Sequence, residues 1–149
     1  MLHQIRIGNW LIEVDIDRTR EFYNKEMEVC KCLYCKNYLG ATEYFKPTVN
    51  DIFEKLGINS VKPAHLSEFP TEITMRRLYI GNYYFVGRVV EGELCSNTHF
   101  NKMNTIEIEN FIFGFSEELE FLPEDLPDPV LQISFEAEIP WILKEDPEV

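Results

Sequence analysis

Hydrophobic and polar positions alternate most regularly between Val130 and Ile139, where Leu131, Ile133, Phe135, Ala137 and Ile139 fall on one side and Gln132, Ser134, Glu136 and Glu138 on the other. A period of two predicts a strand with one buried and one wet side, as in an antiparallel sheet covered on a single face. Two further runs, Ile73 to Ile80 and Tyr83 to Val90, flank the pair Gly81-Asn82. Both residues of that pair tolerate positive φ, so the pattern predicts a tight hairpin. Gly8-Asn9 stands in the same way between Gln4 to Ile7 and Trp10 to Ile16. There the apolar phase changes, which predicts a second hairpin or, alternatively, a bulge in one long strand. Thr105 to Phe115 reads as a strand whose phase slips near Glu109-Asn110, from Ile106 and Ile108 to Phe111, Phe113 and Phe115, which predicts a bulge.

Helical spacing is clearest from Pro47 to Leu56, where Val49, Ile52, Phe53 and Leu56 recur at i, i+3, i+4 and i+7. Pro47 suits the first turn and Gly57 supplies a stop. Asp15 or Asp17 offers a cap for a helix over Arg18 to Met27, with Phe22, Tyr23 and Met27 on its apolar side. A short helix over Tyr38 to Phe45 and an irregular passage from Asn59 to Pro70 are also expected, and Ser116 can cap one turn through Leu119. Beyond the proline-rich stretch Pro123 to Pro129 and the final strand, Pro140 to Leu143 returns apolar surface to the core, and the last six residues are expected to fray. No repeat or linker divides the chain, so residues 1–149 are expected to form a single domain. The fold expected is α+β, with N-terminal helices packed on one face of a mostly antiparallel sheet of five or six strands.

Composition supports a packed core, with hydrophobic residues at 45% and charged residues at 27%. No stretch is apolar for long enough to cross a bilayer, and the start shows no basic region followed by an apolar run. The expectation is a cytoplasmic, reducing setting in which the four cysteines are free thiols or metal ligands. The net charge of −12 is lopsided. Up to Lys102, 13 basic residues balance 13 acidic ones, whereas from Met103 onward Lys144 alone faces 13 acids. Such a field repels nucleic acid and anionic membranes and can steer a basic protein toward the surface. Glu117, Glu118, Glu120, Glu124, Asp125, Asp128, Glu136 and Glu138 are the candidate partner-binding acids, the other reading being a solvating surface.

Cys30, Cys32 and Cys35 bring three thiols within six residues. Thiolates at this spacing suit a soft or borderline cation such as Zn²⁺, which in a closed structural site takes four tetrahedral ligands. Cys95 is the expected fourth ligand, with His65 and His99 as substitutes, so the candidate metal set is Cys30, Cys32, Cys35 and Cys95. The competing reading is a group of partly buried thiols packed as small hydrophobes. Cys32-Leu-Tyr-Cys35 lacks the strand and helix flanks of a redox motif.

No P-loop, Gly-x-Gly-x2-Gly, Gly-x-Ser-x-Gly or His-Glu-x2-His occurs. A pocket near Cys95 and His99 is the one enzymatic alternative, and no catalytic residue is nominated. Tyr79, Tyr83, Tyr84, Phe85, Phe111, Phe113 and Phe115 read as sheet core, because the charge disfavours base stacking.

The segment Cys30-x-Cys32-x2-Cys35-x-Asn37-Tyr38, followed by Phe53-x2-Leu56-Gly57-Ile58, resembles small bacterial cytoplasmic proteins without assigned activity. Gly87, Phe135 and Ile139-Pro140-Trp141 extend the likeness over most of the chain. The resemblance implies a one-domain bacterial protein, sometimes in settings that suggest toxin neutralisation, and carries over no catalytic residue. The function expected is therefore non-enzymatic protein binding through the acidic final third, with one structural zinc. An immunity protein neutralising a basic toxin is an alternative form of it.

Overall fold

The computed structural model describes residues 2–25, 30–73, 75–120, 122–123 and 125–145. In chain order they form β1 (His3–Ile7), β2 (Trp10–Val14), α1 (Ile16–Tyr23), α2 (Leu33–Ala41), a 3-10 turn (Thr42–Tyr44), α3 (Pro47–Leu56), β3 (His65–Pro70), β4 (Arg76–Glu91), β5 (Ile106–Ile108), β6 (Phe111–Ser116) and β7 (Val130–Pro140). The strands make one antiparallel sheet in the order β1-β2-β4-β7-β6-β5, with β3 also paired to β4.

Seven strands replace the five or six expected, for three separable reasons. Gly81-Asn82 is not a turn. Both residues lie inside β4, which continues for sixteen residues and pairs with β7 from Arg76 to Val86. Glycine is required at position 81 by close approach, since a Cβ there would stand 2.5 Å from the His65 carbonyl oxygen. The slip at Glu109-Asn110 is a hairpin turn between β5 and β6, with Glu109 at φ 56°, and not a bulge. Finally, His65–Pro70, expected to be irregular, is an edge strand along the first half of β4.

The first hairpin is as expected, and Asp15 caps α1 by accepting from Arg18 N–H at 3.1 Å. That helix ends at Tyr23, while Met27, expected on its apolar side, lies outside the described residues. Pro47–Leu56 is helical as spaced, and Gly57 closes it at φ 78° in the left-handed region. Two helical expectations shift. The helix foreseen over Tyr38 to Phe45 begins five residues earlier, at Leu33, because Cys32 acts as its cap. After Ser116 the chain makes no helical turn; the Ser116 hydroxyl accepts from Glu118 N–H instead.

Aromatic contacts show which face the helices cover. Tyr38 of α2 stacks on Phe135 with centroids 5.6 Å apart, and Phe53 of α3 meets Tyr83 at 4.9 Å and Phe113 at 5.8 Å. The Tyr38 and Tyr83 hydroxyls are 2.7 Å apart in the core. Tyr83 O–H donates to the Ser60 carbonyl at 2.7 Å, so Tyr38 is the donor to Tyr83. Buried Asn37 ties α2 to the end of β7, donating to the Pro140 carbonyl and accepting from Ile142 N–H at 2.7 Å.

Alanine at Gly81 would have to displace backbone, not a flexible side-chain end. Gly81→Ala is therefore expected to destabilise the protein by about 1–3 kcal/mol. A lowered urea midpoint at unchanged slope is the readout, and an unchanged midpoint would contradict the uninterrupted strand.

Candidate metal centre and acidic cleft

Local chain geometry gathers the three thiols. Cys32 takes an extended conformation at the N-cap of α2, and its Sγ accepts from Cys35 N–H at 3.5 Å. The cap turns Cys35 back over Cys32, while Cys30 approaches along the incoming chain. The three Sγ atoms lie within 4.8 Å of one another, the one such group of potential ligand atoms among the described residues. Two thiolates on one tetrahedral zinc stand about 3.8 Å apart, so a modest contraction brings the trio to ligand geometry.

The electrostatics divide the three. The thiol of exposed Cys30 is held below its ordinary value, chiefly by the backbone N–H of Cys32 and then by the two neighbouring thiols. Burial pushes the half-buried Cys35 thiol well up, and the nearby sulfurs push it further. One thiolate is thus stabilised and shared by hydrogen bonding. A cation that supplies positive charge is what three thiolates need to coexist.

Cys95 does not join them. Its Sγ would lie 2.8 Å from a Cβ built on Gly114 of β6, next to Phe100 and Asn104. Gly114 pairs with Ser134, on the side of the sheet opposite Phe135 and Tyr38. Cys95 is buried there, with its thiol pushed up to about 11 by that burial. The expectation that it supplies the fourth ligand is corrected accordingly. Sequence separation carried no information about which side of the sheet the residue 92–104 segment crosses. His99 is exposed in that segment and bonds locally to Ser96 and Thr98. His65 borders a cleft of about 430 Å³ that contains Cys30, Cys32 and Cys35 with Leu66, Glu68 and Tyr79, but its ring is turned to the other face of the sheet, where Nε2 bonds the Ser67 hydroxyl at 2.9 Å, so it is no substitute ligand. Glu68 is held there by Arg77.

A second cleft of about 330 Å³ opens on the other face of the sheet. Glu118, Glu120 and Glu136 line it together, which the sequence placed only in a general acidic surface. Glu117, Asp125, Asp128 and Glu138 are exposed elsewhere, and Glu124 lies outside the described residues. The polar side of β7 is therefore not uniformly wet. Gln132 is 4% exposed and Ser134 half-buried, because β3 and the residue 92–104 segment build the cleft walls over them. Asn82, read as a turn residue, also lines this cleft. Neither Cys95 nor His99, the pair named for an enzymatic pocket, is among the residues lining it.

No protein-family model, curated protein or solved structure matches the chain. Among the described residues, no helix is long and apolar enough to cross a membrane.

The thiols should differ in reactivity. Under chelator at pH 7.5, iodoacetamide is expected to label Cys30 first and Cys95 last, with rates on the order of tenfold or more apart. Peptide mass mapping over time reads the order, and early labelling of Cys95 would contradict its buried placement.

Proposed function

We propose that this protein acts by binding rather than catalysis, holding one zinc ion through Cys30, Cys32 and Cys35 and meeting a partner with a basic surface on the acids of its final third. The observation that carries the metal reading is the approach of three sulfurs to within 4.8 Å at a helix N-terminus. Thiolate donors favour zinc over hard cations. Cys32 caps α2 and Cys35 lies in its first turn, so a bound ion would tie the incoming segment at Cys30 to the start of that helix, which Asn37 fastens to the end of β7. Leu66, Glu68 and Tyr79 line the cleft beside the thiols, and Glu68 or a water is the candidate for the fourth position.

The partner reading rests on charge. The acids of the final third have almost no compensating base in sequence, and three of them share one cleft. A field of this sign accelerates encounter with a cationic protein and weakens with salt. Neutralisation of a basic toxin, in the manner of an immunity protein, is the concrete biological form of this reading.

Protein purified without chelator is expected to contain about one zinc per chain, and less than roughly 0.2 by elemental analysis would refute the site. Cys32→Ser is expected to release the ion and lower the melting temperature by several degrees, at about 2–4 °C per kcal/mol. Serine retains a cap for α2, so that loss would report the metal and not the helix end. Cys95→Ser should keep its zinc.

A further inference from the structure

The sulfurs of Cys30, Cys32 and Cys35 lie within 4.8 Å of one another, close enough to react together as well as to share an ion. Cys32 is the N-cap of α2, and Cys35 stands three residues on, in the first turn. By helix geometry, residues so spaced have Cα atoms about 5 Å apart, inside the range of roughly 4.4–6.8 Å that a disulfide spans. The Cys32 Sγ is already turned back over that first turn, accepting from Cys35 N–H at 3.5 Å. Closing this pair needs side-chain rotation. Cys32-Leu-Tyr-Cys35 therefore has the helix start used by dithiol redox pairs, a flank that its sequence did not reveal.

Exposure gives the two sulfurs different parts. Cys32 is exposed, so an outside reagent meets it, whereas Cys35 is half-buried beside it. The surroundings specify the reagent. The thiols open on a cleft of about 430 Å³, in the range of small-ligand sites. Tyr34, Leu39, Pro63, Ala64 and Leu66 line it, and each is half-buried, which leaves apolar wall facing the space. Glu68 is the one carboxylate in the lining, and it is paired with Arg77, whose guanidinium lies 5.0 Å from the Tyr34 ring centre. A neutral molecule with apolar arms thus meets no unpaired carboxylate there.

We infer that Cys32 and Cys35 form a thiol–disulfide exchange site whose substrates are small disulfides with apolar substituents, seated in this cleft. Cys32 attacks one sulfur of the substrate R–S–S–R. A Cys32–S–R bond forms, the substrate bond breaks, and one R–SH leaves with the proton that Cys32 gave up. Cys35 then attacks the Cys32 sulfur, which closes the Cys32–Cys35 disulfide and releases the second R–SH with the proton of Cys35. The protein loses two electrons and the substrate gains them. The exchange does not rest on the zinc reading, but a bound ion would have to leave, since the closed pair no longer offers two ligands.

The test treats the protein, with and without EDTA, with diallyl disulfide and with the polar bis(2-hydroxyethyl) disulfide. Each rate is divided by that of the same reagent with N-acetylcysteine, which removes intrinsic reactivity. The expected product is about 2 Da lighter, with Cys32 joined to Cys35 in the peptide map. The diallyl rate is expected to saturate and, once normalised, to exceed the polar one about tenfold or more. Leu66→Thr should reduce that preference severalfold and leave the polar rate unchanged. Cys30→Ser, which removes a zinc ligand and neither exchanging sulfur, should still close the pair. Closure that needs EDTA also supports the site, with the metal as its guard. A mixed disulfide that persists in both conditions, closure through another pair, or a linear diallyl rate without preference would overturn it. Zinc measured before treatment separates the two readings: absence of zinc with closure refutes only the metal site, and zinc without closure under EDTA refutes only the exchange.

Discussion

The constraint that organises this protein is the need to satisfy every backbone group of β4 along both edges. Sixteen residues of strand cannot be covered by one neighbour of ordinary length. On one edge β7 does most of it, from Arg76 to Val86. On the other, β3 covers the first half and β2 the last part, and a gap is left between them. Helix α1 and its cap close that gap. Asp15 N–H donates to the Val86 carbonyl at 2.8 Å, Thr19 Oγ1 accepts from Val86 N–H at 3.0 Å, and Tyr23 O–H donates to the Tyr84 carbonyl at 2.7 Å. An unpaired strand edge buried under a helix would be costly, and here the helix supplies the missing partners with its own polar groups.

This arrangement makes the sheet two-sided. Toward the helices it presents Tyr79, Tyr83, Phe113 and Phe135, all buried, with rings in edge and stacked contact. Even the tyrosine hydroxyls on that face have partners: Tyr79 O–H donates to the Tyr34 carbonyl at 2.6 Å, and Tyr83 O–H donates to Ser60. Toward the other side the same strands present Asn82, Ser134 and Gln132, polar groups under a partial cover. A face of aromatic and aliphatic side chains anchors the fold, whereas the opposite one is polar and only partly covered.

Both candidate sites are built against β3. It contributes Leu66 and Glu68 to the thiol cleft, Ser67 to the acidic one, and His65 to each. A short edge strand can do this because alternate residues point to opposite faces of the sheet. The thiol cluster itself owes little to β3, since a helix cap and three cysteines within six residues already bring the sulfurs together.

What lies close in sequence was legible in sequence. The helix from Pro47 to Gly57, the Asp15 cap, the hairpin at Gly8-Asn9, the alternation of β7 and the cysteine trio all depend on residues within a few positions of one another, where spacing and local propensity dominate. The departures arose where distant segments compete with local preference. Gly81-Asn82 has the makings of a turn, yet eleven consecutive pairs with β7 keep it extended, and the glycine is needed to admit the His65 carbonyl. Cys95 had no neighbour to show which side of the sheet it would occupy, and Glu118, Glu120 and Glu136 meet only because β7 and the segment after β6 fold onto one surface. Local chemistry thus determined the elements and the thiol cluster, while long-range pairing decided which groups face one another, because hydrogen bonds and burial shared across the sheet outweigh the turn preference of two residues.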